Sequence, residues 1–386
     1  VSIAGNKKTQ KLRRLPPGQR LIIYMGLATA FVVGQGLTPD KNIGQSRGQG
    51  SVGSDIAQED IARFGAARHE IPQSNSSRQF ITSPDFANLG LDNLGAAKID
   101  PANQNFGAPD NRPFLPVPLT LADEQIDLKT RLADMCSQKE KLRPGLFVLE
   151  PKTGRYIDLN GKETYAAASM IKMPVLVSLL AAVDRGELKL TQTLPIEEDL
   201  ITAGSGILQW RPPGSKVSLK EAMELMIVIS DNTATNLVIN ALGGKDKVNK
   251  DFAAWGLAQT KINNWLGDFA GTNKTSPYDL VYLLGRLDRG EILKPSSWKL
   301  MLATMERTKT RSLLPPGLGK GAKIAHKTGD IGSMVGDAGI VTAPDGGRYI
   351  VAVQVERPRN DRSANELIRN MSKEVYQHFA SDLAAK

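Results

Sequence analysis

The stretch from Thr38 to Val117 limits what this chain can fold into more than any motif does. It is built of Gly, Gln, Ser, Asn and Pro with scattered hydrophobics, as in Gly44-Gln45-Ser46-Arg47-Gly48-Gln49-Gly50 and Pro101-Ala102-Asn103-Gln104-Asn105. Such a segment cannot bury enough apolar surface to offset the entropy lost in ordering it. Residues 38–118 therefore read as a flexible tether, and residues 119–386 are left to form the folded unit.

In front of the tether, Lys7, Lys8, Lys11, Arg13, Arg14 and Arg20 precede an apolar run from Leu21 to Val33, with no charge until Asp40. A basic flank followed by an apolar run marks a secretory signal or a signal anchor. Ala28-Thr29-Ala30 resembles a cleavage site but lies within the apolar run, so residues 1–37 read as an uncleaved membrane anchor in preference to a cleaved signal segment. The basic residues then stay cytoplasmic and the remainder of the chain crosses the membrane. The expected location is the periplasmic face of the cytoplasmic membrane, or the periplasm itself if the segment is cleaved. The same six residues explain the net charge of +9, because without them 49 basic residues fall to 43 against 40 acidic ones. No basic stripe interleaved with aromatics remains, which argues against a nucleic-acid partner. A single cysteine, Cys136, allows no internal disulfide.

Beyond the tether the hydrophobic pattern becomes periodic. Thr120 is placed to cap a helix carrying Leu121, Ile126, Leu128, Leu132 and Met135. Gly145 to Glu150 and Arg155 to Leu159 flank Pro151-Lys152-Thr153-Gly154 as a β-hairpin. Helical patterns follow from Ser169 to Asp184, Leu219 to Ile229, Ala234 to Leu242, Asp246 to Trp255 and Pro277 to Leu287. Ala325 to Lys327, Gly339 to Thr342 and Tyr349 to Val355 read as strands, and Asn365 to Phe379 as a closing helix. Strands at both ends of a helical middle predict one α+β unit: an antiparallel sheet packed with helices, plus an all-helical subregion. Asp184-Arg185-Gly186-Glu187 and Asp288-Arg289-Gly290-Glu291 look alike because both end a helix with glycine, not because the chain repeats.

Three short motifs carry the chemistry. Ser169-Met170-Ile171-Lys172 places serine and lysine one turn apart on one helix face. An uncharged lysine there can take the hydroxyl proton and make Ser169 a nucleophile without histidine. Ser230-Asp231-Asn232 lies at a junction of two helices, and Lys327-Thr328-Gly329 on a strand, 61 and then 97 residues further on. Decoys exist in Ser296-x-x-Lys299, with no S-x-N at a suitable distance after it, and in Lys152-Thr153-Gly154, which precedes Ser169 in a turn. Only one combination has order, spacing and local structure together.

S-x-x-K, S-D-N and K-T-G in that order resemble the signature of class A β-lactamases and penicillin-binding proteins. The likeness covers roughly residues 120–386 and includes Gly204-Ser205-Gly206-Ile207-Leu208 and Thr275-Ser276-Pro277. It implies the β-lactamase/transpeptidase-like fold, Ser169 as nucleophile, Lys172 as its base and Ser230 as a proton relay. It implies backbone N–H groups of Ser169 and Asp330 for the oxyanion, and Asn232, Lys327, Thr328 and Gly329 as substrate-binding residues. Asp231 is expected to be a structural or capping carboxylate, and Arg357 an ordinary surface residue in preference to a helper in binding the substrate carboxylate. No cofactor or metal is implied; His69, His326 and His378 are far apart, and His326 reads as strand packing.

The lactamases carry an Ω-loop glutamate that activates water to clear the acyl-enzyme. The matching stretch here, Asn263 to Asn273, has no glutamate, and Asp268 is its only carboxylate. In this the chain resembles the class A-lactamase-like penicillin-binding proteins of cyanobacteria, also through Ser312-Leu313-Leu314-Pro315 and Ile324 to Ser333. The resemblance implies a D-alanyl-D-alanine peptidase with peptidoglycan stem peptides and β-lactams as partners, acylated by β-lactams and slow to deacylate. The alternatives are a β-lactamase using Asp268, and a non-catalytic envelope protein that binds peptidoglycan.

Overall fold

The computed structural model describes residues 118–384. The expected anchor, and the tether up to Val117, lie outside the described residues. No helix among those described is long and apolar enough to cross a membrane.

The chain enters as a two-residue strand β1 (Asp123–Glu124) and a helix α1 (Ile126–Ser137), then forms β2 (Arg143–Leu149) and β3 (Arg155–Leu159). Thr120 is therefore not the cap of that first helix. Asp123 and Glu124 pair in parallel with Arg155 and Tyr156, and the helix starts only after this edge is satisfied. The expected hairpin is present, with Val148 opposite Ile157. The short strand β4 (Tyr165–Ala166) leads into a 3₁₀ turn at Ala168–Ile171 and the helix α2 (Lys172–Asp184).

The middle of the chain contains β5 (Thr193–Pro195) and β6 (Lys216–Ser218), then the helices α3 (Leu219–Val228), α4 (Asn232–Ala241) and α5 (Lys245–Ala254). β5 and β6 pair with each other, so the region expected to be all helical also holds a small ribbon. β7 (Lys274–Thr275) pairs with β4. The helix α6 (Pro277–Asp288) starts at the Ser276 cap with proline in its first turn, as the Thr275-Ser276-Pro277 run demands. The helix α7 (Pro295–Glu306) was not legible from periodicity. The strands β8 (Lys323–Asp330), β9 (Met334–Thr342) and β10 (Arg348–Glu356) and the helix α8 (Ser363–Ala384) close the fold.

The main sheet has the order β1-β3-β2-β10-β9-β8, antiparallel except for β1 against β3. Its two faces build separate cores, as the period of two requires. Phe147 and Leu149 of β2 and Ile350 and Ala352 of β10 face the cluster that includes α2 and the helical region. Leu146 and Val148, with Tyr349, Val351, Val353 and Val355, face the cluster that holds α1 and α8. Cys136 packs at the margin of the second cluster and is a free thiol.

The α2 helix is buried from Lys172 to Ala182. A helix apolar all round belongs in the centre of a core, and each fully buried Leu or Val is worth roughly 1.5–3 kcal/mol. Leu176→Ala is expected to cost about 2–5 kcal/mol. One charged side chain, Lys172, enters this interior at the first residue of the helix. Gly186 and Gly290, at φ +77° and +73°, end α2 and α6, as the paired Asp-Arg-Gly-Glu runs predict.

Candidate active site

The serine turn is held in a tight frame. Ser169 lies in the first turn of a 3₁₀ helix that passes directly into α2, so Lys172 follows it at the same angular position. Ala168, just before it, has φ +43°, a conformation that a residue with a side chain adopts only when its surroundings enforce it. The enforcing element is β8. A Cβ on Gly329 would lie 3.0 Å from Met170 Cγ and 3.1 Å from Ala168 Cβ. The glycine of the K-T-G run is what allows the strand to pass this close to the serine.

The S-D-N run is as constrained. It fills the connection between α3 and α4, with Ser230 at φ +60°. Asp231 is buried and caps α4 by accepting Ala234 N–H at 2.8 Å through one oxygen. Its other oxygen accepts the N–H groups of Ile207 and Leu208 at 2.7 and 2.9 Å. The capping role read from the sequence is correct, and the aspartate also fastens the Gly204–Leu208 loop beside the site. A Cβ at Gly206 would fall 2.2 Å from Asp231 Cγ, so only glycine fits there.

The three motifs converge on buried amines. Lys172 Nζ donates to the carbonyl oxygen of Ser230 at 2.5 Å, to Ser230 Oγ at 3.1 Å and to Asn232 Oδ1 at 2.7 Å. All three bonds go to the S-D-N turn and none to Ser169. Lys327 Nζ reaches the same Ser230 hydroxyl at 3.1 Å and donates to Thr328 O at 2.8 Å. Both lysines are buried. Burial, then the neighbouring Lys327 ammonium, hold Lys172 well below the ordinary lysine range, against a weaker pull upward from Asp231. Burial lowers Lys327 to about 8, with Asp337 acting in the opposite direction. A lysine held as low as Lys172 gives up its proton more readily than an ordinary one, and the neutral amine can accept a proton. Ser169 itself is partly exposed and lines a small hollow with Ser205, Asn232, Phe269 and Asp330.

The loop in place of the Ω-loop is closed by its own amides. Asn273 Oδ1 accepts the N–H groups of Asn263 and Asn264, both at 2.8 Å. Asn236 of α4 donates to Leu266 O at 2.9 Å and accepts Leu266 N–H at 2.8 Å, pinning the loop to the helix that carries Asn232. Asp268 accepts Thr272 Oγ1–H at 2.9 Å with one oxygen and Asn273 N–H at 2.6 Å with the other. Its carboxylate lines the hollow but is engaged by the loop. Asn236 is not picked out by sequence reasoning, since an isolated asparagine carries no local pattern, and Asn273 enters there only as part of the matching stretch, with no role read for it.

Arg357 is a correction. It is buried, not a surface residue, and donates to Gly332 O at 3.0 Å, Asn365 Oδ1 at 2.8 Å and Asp330 Oδ1 at 2.5 Å. It thereby fixes the turn that follows Gly329. His326 is a buried strand residue whose Nδ1 lies 2.9 Å from Asp337 Oδ1 on β9. His378 lies elsewhere, against Phe379 and 2.7 Å from Gln125 Oε1.

The profile of the β-lactamase enzyme family matches residues 127–379, which is well over half of the chain. This protein belongs to the β-lactamase enzyme family. Among solved structures it resembles PBP-A, with 46% identity over 68% of this chain and 100% of that one, and a TM-score of 0.67. A leucine-to-glutamate variant of PBP-A, solved as an acyl-enzyme complex with penicillin G, gives 45% identity and the same TM-score over 69% of this chain and 100% of that one. The β-lactamase of Sphaerobacter thermophilus is 28% identical over 66% of this chain and 97% of its own, with a TM-score of 0.59. By sequence, β-lactamase CARB-4 of Pseudomonas aeruginosa is 28% identical over 48% of this chain and 66% of its own length. The chain is thus a serine β-lactamase-like hydrolase with the α+β fold of that family.

Proposed function

We propose that this family member is an acyl-serine peptidase of peptidoglycan stem peptides ending in D-alanyl-D-alanine, which β-lactams acylate and leave slowly. The observation that carries the reading is the engaged carboxylate of Asp268, with both oxygens bonded inside its own loop. Acylation chemistry has its residues in place, and among the described residues the loop that matches the Ω-loop offers no glutamate, only an aspartate whose two oxygens each already accept a hydrogen bond from that loop.

In this reading neutral Lys172 takes the Ser169 proton as Oγ attacks the peptide carbonyl. The first-turn position of Ser169 leaves its N–H without an intrahelical partner, and with Asp330 N–H it supports the oxyanion. One such donor is worth about 3 kcal/mol at the transition state. Lys327 holds the terminal carboxylate together with Thr328. The proton passes through Ser230 Oγ, in reach of both amines, to the leaving nitrogen, whose C–N bond breaks as it arrives. β8 is an edge strand and can receive an extended peptide by strand addition, with Asn232 taking the preceding amide. The basic start, the apolar run Leu21 to Val33 and the tether support placing the unit on the periplasmic face of the membrane, where such peptides occur.

The second reading is a β-lactamase. The names of the sequence relatives favour it, as does the presence of Asp268 in the hollow of Ser169. Intact mass followed over hours after benzylpenicillin separates the two. A stoichiometric adduct that persists supports the peptidase; turnover faster than about one per second, an ordinary enzyme rate, sinks it. An adduct that fails to form, or that survives Ser169→Ala, returns the chain to a non-catalytic binding role.

A further inference from the structure

Among the described residues, the large apolar side chains left exposed are Ile126, Trp210 and Phe269. Phe269, 61% exposed, is the one that lines the hollow containing Ser169. Its ring is not loosely placed. A Cβ on Gly204 would lie 3.0 Å from Phe269 Cζ, and one on Gly267 would lie 3.1 Å from Cε2. The ring therefore rests against two glycine backbones at φ +111° and +28°, which a side chain at either position would crowd. Its own N–H bonds to Gly267 O at 2.9 Å. Asp268 and Asn273 lock the loop behind it. One side of the ring is held and the rest faces water beside the nucleophile and Asn232.

We infer that Phe269 is the apolar wall against which the side chain of the acyl donor lies, so that it selects donors carrying an aromatic or aliphatic group beyond the amide held by Asn232. The inference rests on the acyl-serine reading proposed for this site. An apolar surface fixed in advance gains affinity by losing contact with water, at little ordering cost to the protein. The loop thus supplies recognition where its relatives of the lactamase type carry a catalytic glutamate.

The test compares acylation by benzylpenicillin, which carries a phenylacetyl group, with acylation by 6-aminopenicillanic acid, which has the same reacting ring and no such group. Phe269→Ala is expected to slow acylation by benzylpenicillin about tenfold, equivalent to ~1.4 kcal/mol, and to leave 6-aminopenicillanic acid within about twofold. Phe269→Leu, which keeps an apolar wall, is expected to restore most of the benzylpenicillin rate. Equal losses with both compounds would mean that the ring only shapes the loop, and no loss with either would mean that it contacts nothing; both results overturn the inference. A wild-type protein that accepts neither compound overturns the acyl-serine reading itself, and this inference with it.

Discussion

Lys172 Nζ stands 2.5 Å from the carbonyl oxygen of Ser230, a residue held at φ +60°. The strained backbone aims a carbonyl at an amine that is already buried, and the same turn offers that amine a hydroxyl and an amide oxygen. When neutral, Lys172 has two hydrogens, enough for the Ser230 carbonyl and Asn232 Oδ1, and one lone pair that can take an incoming proton. Lys172→Ala is expected to slow acylation by a fluorescent penicillin by 10²–10⁴-fold, the usual span for losing a general base. The change also removes a buried four-carbon stem and the donor to Ser230 O and Asn232 Oδ1, so some stability should be lost as well, and the rate is read under conditions where thermal unfolding shows the variant folded. Labelling at the wild-type rate would remove Lys172 from the mechanism.

In the proposed mechanism the two lysines set opposite limbs of a pH profile. Lys172 works as a base only when unprotonated, so acylation rises with pH as it loses its proton, well below the ordinary lysine value. Lys327 holds a carboxylate only when protonated, so acylation declines as pH rises through about 8. The second-order acylation rate measured from pH 5 to 10 should therefore be bell-shaped. In Lys327→Arg the guanidinium stays charged, and the alkaline limb should move up or vanish. An alkaline limb unchanged in that variant would assign it to another group.

Gly206 and Asp231 test whether the loop is fastened as the geometry requires. Gly206→Ala places a Cβ 2.2 Å from the buried carboxyl carbon in a backbone at φ +107°. Overpacking and backbone strain together predict a loss of about 2–4 kcal/mol, measured by denaturant unfolding, with slower acylation because Asp231 also positions Asn232. Gly186→Ala is a control for positive φ alone, since nothing lies within 4 Å of the added carbon, and should cost about 1 kcal/mol. Equal costs at the two positions would refute the packing argument.

The motifs, the hairpin and most helices were legible in the sequence because each depends on local periodicity or on residues at fixed offsets. What escaped depends on partners distant in the chain. The parallel pairing of Asp123 and Glu124 is set by Arg155 and Tyr156, and two acidic residues carry no strand signal of their own. The helix Pro295–Glu306 buries Ser297 and Thr304 beside Met301 and Met305, so its inner face does not read as apolar. Ser297 is buried because its hydroxyl bonds to Asp184 at 2.6 Å, whereas the decoy serine beside it, Ser296, is exposed. Arg357 looks like any charged residue until Gly332, Asp330 and Asn365 are seen around it. The motifs that the fold brings together were thus readable, and the contacts that hold them in place were not.

Asp268 decides between the two activities, and its geometry makes a definite forecast. A carboxylate that clears an acyl-enzyme must present an oxygen to water, and here each oxygen already accepts one hydrogen bond, from Thr272 or Asn273, that holds the group toward its own loop. Asp268→Asn keeps one acceptor and replaces the other with an amide group that cannot accept from Asn273 N–H or from the threonine hydroxyl, so one bond is lost. Stability should fall by about 1.5 kcal/mol, the low end for a hydrogen bond to a charged group, because this one is only partly buried. The lifetime of the penicilloyl adduct, followed by intact mass, should change less than threefold, ~0.7 kcal/mol. A lifetime at least tenfold longer would show that Asp268 activates water despite its partners, and the chain would then be a lactamase working through a shorter carboxylate.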